Sequence, residues 1–393
     1  MDLDAFRWLL SDDGQALLAR AVEVYDGQRD HALAASSQLR RDHSPEHVAA
    51  AMTQVELRHR ARAKFGDLAA SMYFTPDGLE QSTRLRVAEH RAARVAAAQP
   101  SSVLDVGCGI GGDLVAFSRA GLTAAGIDQD PLRVAVAEAN LAALGLGGAV
   151  QVADAEALDL SGFGVVFADP ARRTDRGRVF DPDAYSPPWS FVDRLLRRPS
   201  VVKVAPGIPH DLVPEGVEAE WVSDEGDLKE AVLWSPQLAT VRRRATVIRP
   251  HGLATLTDED DPGDTSVREV GRFLYEPDDA VIRAGLVTAV AAGVHGGLVD
   301  PHIAYVTSDE AFLTPFAKGY QVLEVLPYRE KALKAALRER GVGRLTIKKR
   351  GVDVVPEELR KRLGLHGEQD ATLVLTRVHD KGTALLVRPL RTT

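Results

Sequence analysis

The run Val103-Leu104-Asp105-Val106-Gly107-Cys108-Gly109-Ile110-Gly111 constrains this chain more than any other. A hydrophobic stretch meets an acid, and glycines then alternate with small residues. That order predicts a buried parallel strand entering a tight turn whose backbone approaches a ligand closely. About twenty residues later, a second apolar run, Thr123 to Ile127, ends in Asp128 and Gln129. An acid at that place accepts hydrogen bonds from the two hydroxyls of a ribose. Together the two segments predict a nucleoside-cofactor site on a doubly wound α/β sheet, whose ligands lie at the carboxyl ends of the strands.

The choice of cofactor turns on the acids. Gly107, Gly109 and Gly112 also satisfy the G-x-G-x-x-G pattern of dinucleotide folds. Asp105 argues against a dinucleotide, because a carboxylate beside the glycine turn repels a pyrophosphate and suits the amino group of a methionine moiety. Val150-Gln151-Val152 leads to Asp154 and Ala155, placed to meet an adenine amino group, and Val165-Val166-Phe167-Ala168 delivers Asp169-Pro170. This series resembles the class I methyltransferases that use S-adenosylmethionine, over residues 73 to 240. The resemblance implies a Rossmann-like seven-stranded methyltransferase sheet. It places Asp105, Gly107 and Gly109 at the methionine end, Asp128 at the ribose and Asp154 with Ala155 at the adenine. Cys108, Gly111, Gln129 and Asp169 complete the expected contacts. The plain alternative is a strand-turn-helix with no ligand, against which stand the glycine density and three strand-end acids in order.

Composition agrees with an enzyme of several domains. A chain of 393 residues is too long for one core. No apolar run approaches bilayer length, and Met1-Asp2-Leu3-Asp4 has acids where a signal peptide needs positive charge, so a cytoplasmic location with no membrane partner is expected. The single cysteine, Cys108, excludes an intrachain disulfide and a cysteine-cluster metal site. His210, His251, His295 and His302 show no ligand spacing, and no metal is expected. A net charge of -8 argues against a wholly basic nucleic-acid coat but permits a local basic patch.

The chain divides into four expected sections. Residues 1–72 form a helical region, where the basic run Arg58 to Lys64 is most simply a solvated helix face. Residues 73–240 hold the Rossmann-like domain. Its Thr75-Pro76 turn reads as a helix N-terminus. It resembles the segment ahead of the first strand in trimethylguanosine synthase-like methyltransferases, which implies that Thr75 covers the methionine end. Helices are expected over 112–120 and 131–144. A long loop from Ala171 to Pro188 follows, then the strand Val201 to Ala205, then two strands, 218–222 and 230–234, around Gly226-Asp227. Residues 241–319 form an α+β connection with a strand from Arg242 to Pro250 and a helix with its turn over Pro277 to Ala292. Residues 320–393 alternate strand, helix, strand, helix and hairpin. With Ile347-Lys348-Lys349-Arg350-Gly351, this layout resembles the THUMP-like domain appended to some bacterial methyltransferases.

Asp169-Pro170-Ala171-Arg172 sits where base-modifying methyltransferases carry Asp-Pro-Pro-Tyr, Asn-Pro-Pro-Tyr or Asp-Pro-Pro-Arg. The resemblance makes Asp169 and Pro170 the catalytic candidates, orienting an acceptor nitrogen. Ala171 and Arg172 depart from the pattern and leave the aromatic platform in doubt. Arg172 can stack by its guanidinium plane or hold a phosphate. Trp189, in Ser186-Pro187-Pro188-Trp189, is a second candidate platform. That tetrapeptide looks like the catalytic motif of trimethylguanosine synthases, but it lies well after the fourth strand. Carbon-5 pyrimidine methylation needs a nucleophilic cysteine, and Cys108 lies inside the glycine turn. Nitrogen or oxygen methylation remains. Arg172, Arg173, Arg176 and Arg178 form one basic cluster and Lys348, Lys349 and Arg350 another, which suits a phosphate backbone; local pairing with acids is the equal alternative. The expected substrate is structured RNA, tRNA or rRNA. Two alternatives stay open: a methyltransferase for a small molecule or protein, and a non-catalytic RNA-binding or cofactor-binding protein.

Overall fold

The computed structural model describes residues 1–25, 29–172, 185–186, 188–263 and 266–390, and side chains outside 26–33 and 171–187. Its residues fall into two compact units, 1–217 with 232–239, and 218–231 with 240–393.

The first unit opens with four helices: α1 (Leu3–Leu9), α2 (Asp12–Val24), α3 (Arg29–Leu39) and α4 (Pro45–Phe65). Three of them start where a short polar side chain accepts a first-turn N–H: Asp2 from Ala5, Ser11 from Gly14 and Ser44 from His47. Phe6, Leu9, Leu17, Val48, Leu57 and Phe65 bury their apolar faces together with Met72 and Phe74. Two further helices, α5 (Pro76–Gln81) and α6 (Leu85–Ala97), lead to the sheet.

That sheet is built from β1 (Val103–Val106), β2 (Ala124–Asp128), β3 (Ala149–Val152) and β4 (Val165–Ala168). The two-residue strands β5 (Ala171–Arg172) and β6 (Tyr185–Ser186) pair with each other, and β7 (Ser200–Val204) returns to the sheet. The order is β7-β4-β1-β2-β3, parallel throughout. The helices α7 (Gly112–Arg119), α8 (Pro131–Ala143) and α9 (Trp189–Leu195) make the crossovers. β1 and β4 are buried at every residue, which explains their continuous apolar runs. The chain builds β1 to β3 outward and then returns to the other side of β1 for β4. A crevice opens at that reversal, beyond the carboxyl ends of the strands.

In the second unit, β8 (Glu218–Asp224) and β9 (Asp227–Trp234) flank a two-residue turn. Glu225 and Gly226 both have positive φ, 56° and 88°, as a tight hairpin requires. The last three residues of β9 belong to the first unit, next to β7. β10 (Arg243–Arg249) runs parallel to β8 and antiparallel to β11 (Gly252–Thr257). A seven-stranded sheet follows, comprising β12 (Phe273–Pro277), β13 (Gly297–Asp300), β14 (Ile303–Ser308), β15 (Ala317–Leu326), β16 (Val342–Lys349), β17 (Gln369–Val378) and β18 (Lys381–Pro389). Its order is β13-β14-β12-β15-β18-β17-β16. Helices α10 (Asp279–Arg283) and α11 (Val287–Gly293) replace the single helix expected there. Helices α12 (Glu330–Glu339) and α13 (Pro356–Leu363) bury Leu333, Leu337, Leu359 and Leu363 against Leu345, Ile347, Leu373 and Leu375.

Strands β11 to β14 went unpredicted. Each is a short run beside glycine or proline with no clean alternation; β11 and β13 pair across tight turns with the neighbouring β10 and β14, and β12 joins β14 and β15, which lie far along the chain. Among the described residues no helix is long and apolar enough to cross a membrane.

Candidate cofactor and acceptor site

The glycine turn is folded onto the end of β2. The N–H groups of Gly107 and Cys108 both donate to the Ile127 carbonyl, at 2.8 and 2.9 Å. Gly107, Gly109 and Gly111 have φ of 74°, 56° and 81°, a left-handed backbone that side chains disfavour. The Gly109 N–H donates to Asp128 Oδ2 at 3.0 Å, and the Asp130 N–H donates to Asp128 Oδ1 at 2.9 Å. A carboxylate offers about four lone-pair sites. Asp128 therefore anchors the turn and keeps capacity for a ribose diol.

Asp105 is 2 % exposed, and its Oδ2 has no hydrogen-bond partner. Burial pushes its carboxyl well above the usual carboxylate range, and the negative neighbours Asp113, Asp169 and Asp128 push the same way against Arg91. Arg91 is ion-paired with Asp113, joining α6 to α7. An orphaned buried acceptor beside a glycine turn fits the ammonium of a methionine moiety, so these residues suit S-adenosylmethionine. Cys108 is buried, and burial together with Asp105 and Asp128 raises its thiol.

Two buried amides position the Thr75 turn. Asn140 Oδ1 accepts the Tyr73 N–H at 2.6 Å, while its Nδ2 donates to the carbonyls of Tyr73 at 3.1 Å and Ile110 at 2.8 Å. Gln54 Nε2 donates to the Phe74 carbonyl at 2.7 Å, and the Phe74 N–H donates back to Oε1 at 3.0 Å. The extended Tyr73-Phe74 backbone is thus satisfied by side chains from α8 and α4, and Asn140 ties it to the glycine turn. Thr75 Oγ1 accepts the Gly78 N–H at 3.0 Å and caps α5. A Cβ on Gly78 would run into Ile110 Cγ2, so glycine is what lets α5 lie against the turn. Lys64 Nζ donates to the carbonyls of Leu79, Glu80 and Ser82 at 2.7 to 2.8 Å. Arg58 Nε donates to the Met72 carbonyl at 2.8 Å. The basic run of α4 is therefore not one solvated face: Arg58 and Lys64 hold backbone, while Arg60 and Arg62 are exposed. Nothing in the local pattern around Gln54 or Asn140 announces these roles.

Asp169 follows β4 on the same side of the sheet, with Pro170 buried behind it. Its Oδ2 accepts from Lys203 Nζ at 2.6 Å, and that ammonium also donates to Thr83 Oγ1 at 3.2 Å. Lys203 went unpredicted, although a lysine inside the apolar strand Val201-Val202-Lys203-Val204 was a signal. Asp154 is exposed and accepts the Glu156 N–H at 3.0 Å, Ala155 is buried, and Gln129 is exposed beyond Asp128. Trp189 opens α9, partly buried. Arg172 contributes backbone to β5, and Arg173, Arg176 and Arg178 lie outside the described residues. In the second unit, Lys348 in β16 and Arg350 just beyond its end are half-buried, and Lys349 between them is exposed. Among the described residues no cluster of side chains could hold a metal.

Comparison with known proteins gives the family. Residues 103–175 match the methyltransferase domain family, residues 317–389 the THUMP domain-like family, and residues 2–61 a domain of unknown function (DUF8688). An uncharacterized S-adenosylmethionine-dependent methyltransferase of Mycobacterium tuberculosis is 38 % identical over 351 residues, in strain CDC 1551 / Oshkosh and in strain H37Rv alike. The match covers 85 % of this chain and 95 % of that protein. A crystal structure from Porphyromonas gingivalis W83, of a protein assigned as a methyltransferase, superposes with a TM-score of 0.75 at 23 % identity, over 96 % of this chain and 99 % of that one. The chain therefore belongs to the S-adenosylmethionine-dependent methyltransferases, class I in fold, with a THUMP-like domain toward its carboxyl end.

Proposed function

We propose that the protein methylates a nitrogen of a base in structured RNA, tRNA or rRNA, in the cytoplasm. The observation that bears most weight is Asp169-Pro170 at the carboxyl end of β4, on the strand neighbouring Asp105 and the glycine turn. When bound, S-adenosylmethionine supplies an electrophilic methyl on its sulfonium. Asp105, Gly107 and Gly109 would hold its methionine end, Asp128 with Gln129 the ribose, and Asp154 with Ala155 the adenine. Thr75, Cys108 and Gly111 shape the wall.

The chain's own part is positioning and proton handling. Asp169 accepts a hydrogen bond from the acceptor nitrogen, with the Pro170 backbone turns its lone pair toward the methyl, and takes the proton which that nitrogen sheds as the methyl leaves the sulfonium. Lys203 engages one carboxylate oxygen and leaves the other for the acceptor. Cys108 speaks against ring-carbon methylation, since a buried thiol held protonated is a poor nucleophile. Support for RNA comes from the THUMP domain-like match and from the basic residues of the second unit. Arg172, Arg173 and Trp189 are the proposed base and phosphate contacts from the first unit, and Lys348, Lys349 and Arg350 those from the second.

The test is to compare the modified nucleosides of total RNA, by mass spectrometry, with and without this gene. One methylated nucleoside should vanish on deletion and return on incubation with the purified protein and cofactor. An unchanged nucleoside profile, with methyl transfer to RNA absent in vitro, would contradict the reading.

A further inference from the structure

The second unit holds a polar cavity of about 120 Å³. We infer that it is a phosphate-binding site; the source of that phosphate, the RNA substrate, rests on the function proposed above. Four cations line the cavity, Arg249, Lys318, Lys348 and Arg350, against three carboxylates, Glu276, Asp278 and Asp279. The carboxylates are only partly available for pairing. Glu276 Oε2 accepts from Lys348 Nζ at 2.6 Å and from the Tyr320 hydroxyl at 3.1 Å. Asp278 accepts the Ala280 N–H at 3.0 Å as the cap of α10. The pairs Arg249–Asp278 and Arg350–Asp279 stand at 3.6 and 3.7 Å, beyond hydrogen-bond length. Lys318 has no ion-pair partner among the described residues.

The cationic groups also converge. The point where a Cβ on Gly226 would lie is 3.5 Å from Lys318 Nζ and 3.6 Å from Arg249 Nη1. Two like charges drawn to one place want an anion between them. A metal cation would meet four positive side chains against three carboxylates there, a balance that favours an anion. The cavity has the space of about four waters, which admits a tetrahedral oxyanion and leaves sugar and base outside. Guanidinium groups favour phosphate through paired N–H donors. Such a contact orients RNA without reading its sequence. Lys348 and Arg350, singled out from the sequence for their charge, thereby separate from Lys349, which does not line the cavity.

The full-length protein is titrated calorimetrically, at constant ionic strength, with inorganic phosphate and with one short oligoribonucleotide carrying a 5′-phosphate or a 5′-hydroxyl. The wild type and Lys318→Glu are compared, with cofactor affinity as the check on folding. Phosphate should bind the wild type and bind Lys318→Glu about tenfold or more weakly, the loss of one charge-assisted contact. In salt titrations of substrate RNA, Lys318→Ala should lower the slope of log K against log salt by about one. A preference for the 5′-phosphate identifies a terminal monoester, and equal binding identifies the backbone diester. No phosphate binding by the wild type, or equal binding by Lys318→Glu, overturns the site whatever RNA methylation shows. Phosphate binding lost in Lys318→Glu without methyl transfer to any RNA sustains the site and overturns only the RNA reading.

Discussion

Lys203 Nζ lies 2.6 Å from Asp169 Oδ2, so the acid proposed to face the acceptor is held from the neighbouring strand. Both side chains are partly exposed, at 18 % and 34 %, and the bond is worth more as a restraint on geometry than as stability. Lys203→Met should lower the methyl-transfer rate by about 10–100-fold, the scale of small misplacements at a reacting centre. Cofactor affinity should stay within about twofold. Lys203→Arg should recover part of the rate. Single-turnover kinetics with separate cofactor titrations checks this, and an unchanged rate in Lys203→Met would remove the restraint from the account.

Asp128 is the second test. Asp128→Ala should weaken cofactor binding by about 1–3 kcal/mol through lost charge-assisted hydrogen bonds. It also frees the N–H groups of Gly109 and Asp130, which loosens the turn. Calorimetry showing unchanged affinity would refute the ribose role.

Asp105 couples the cofactor site to pH. Its carboxyl is raised in the folded protein, first by burial and then by Asp113 and Asp169. The protein without cofactor therefore keeps this contribution to stability below the ordinary carboxylate value and loses it as pH rises toward the raised value. Asp105→Asn removes the buried charge. It should raise the Tm of the cofactor-free protein more at pH 8 than at pH 4, while weakening cofactor binding by about 1–3 kcal/mol. Thermal melts across that range decide the matter, and a pH-independent difference with full cofactor affinity would sink it.

Asn140 is a stability test. It is fully buried, and Asn140→Leu would orphan the Tyr73 N–H and the carbonyls of Tyr73 and Ile110. The expected loss is about 2–4 kcal/mol, seen as a fall in Tm of about 5–15 °C. Cofactor affinity should fall with it, because the Thr75 turn loses its tie to the glycine turn. Denaturant melts with unchanged midpoints would show the amide to be dispensable.

The parallel core was legible because β1, β2 and β4 are short apolar runs that end in acids or glycines, a local pattern. The candidate cofactor residues at the ends of β1, β2 and β4 follow from the same pattern, whereas Thr75 comes only from the resemblance of its turn to that of trimethylguanosine synthase-like methyltransferases. What stayed hidden depends on contacts distant in sequence. Asn140 and Gln54 look like ordinary helix residues until Tyr73 and Phe74 are brought beside them. The cavity of the second unit unites Gly226, Arg249, Lys318 and Lys348, which no spacing rule connects. Strand β12 is hidden for the same reason, since it is held between β14 and β15, whereas β11 and β13 are short hairpin arms with no clean alternation to mark them. Lys203 is the exception, a charge in an apolar strand whose signal is local.

The most direct test is transfer of a labelled methyl group from S-adenosylmethionine to RNA from cells lacking this gene, by the wild type and by Asp169→Ala at saturating cofactor. Label should enter one base with the wild type, and Asp169→Ala should bind cofactor normally and transfer none. Undiminished transfer by Asp169→Ala, or a wild type that labels no RNA, would contradict the account.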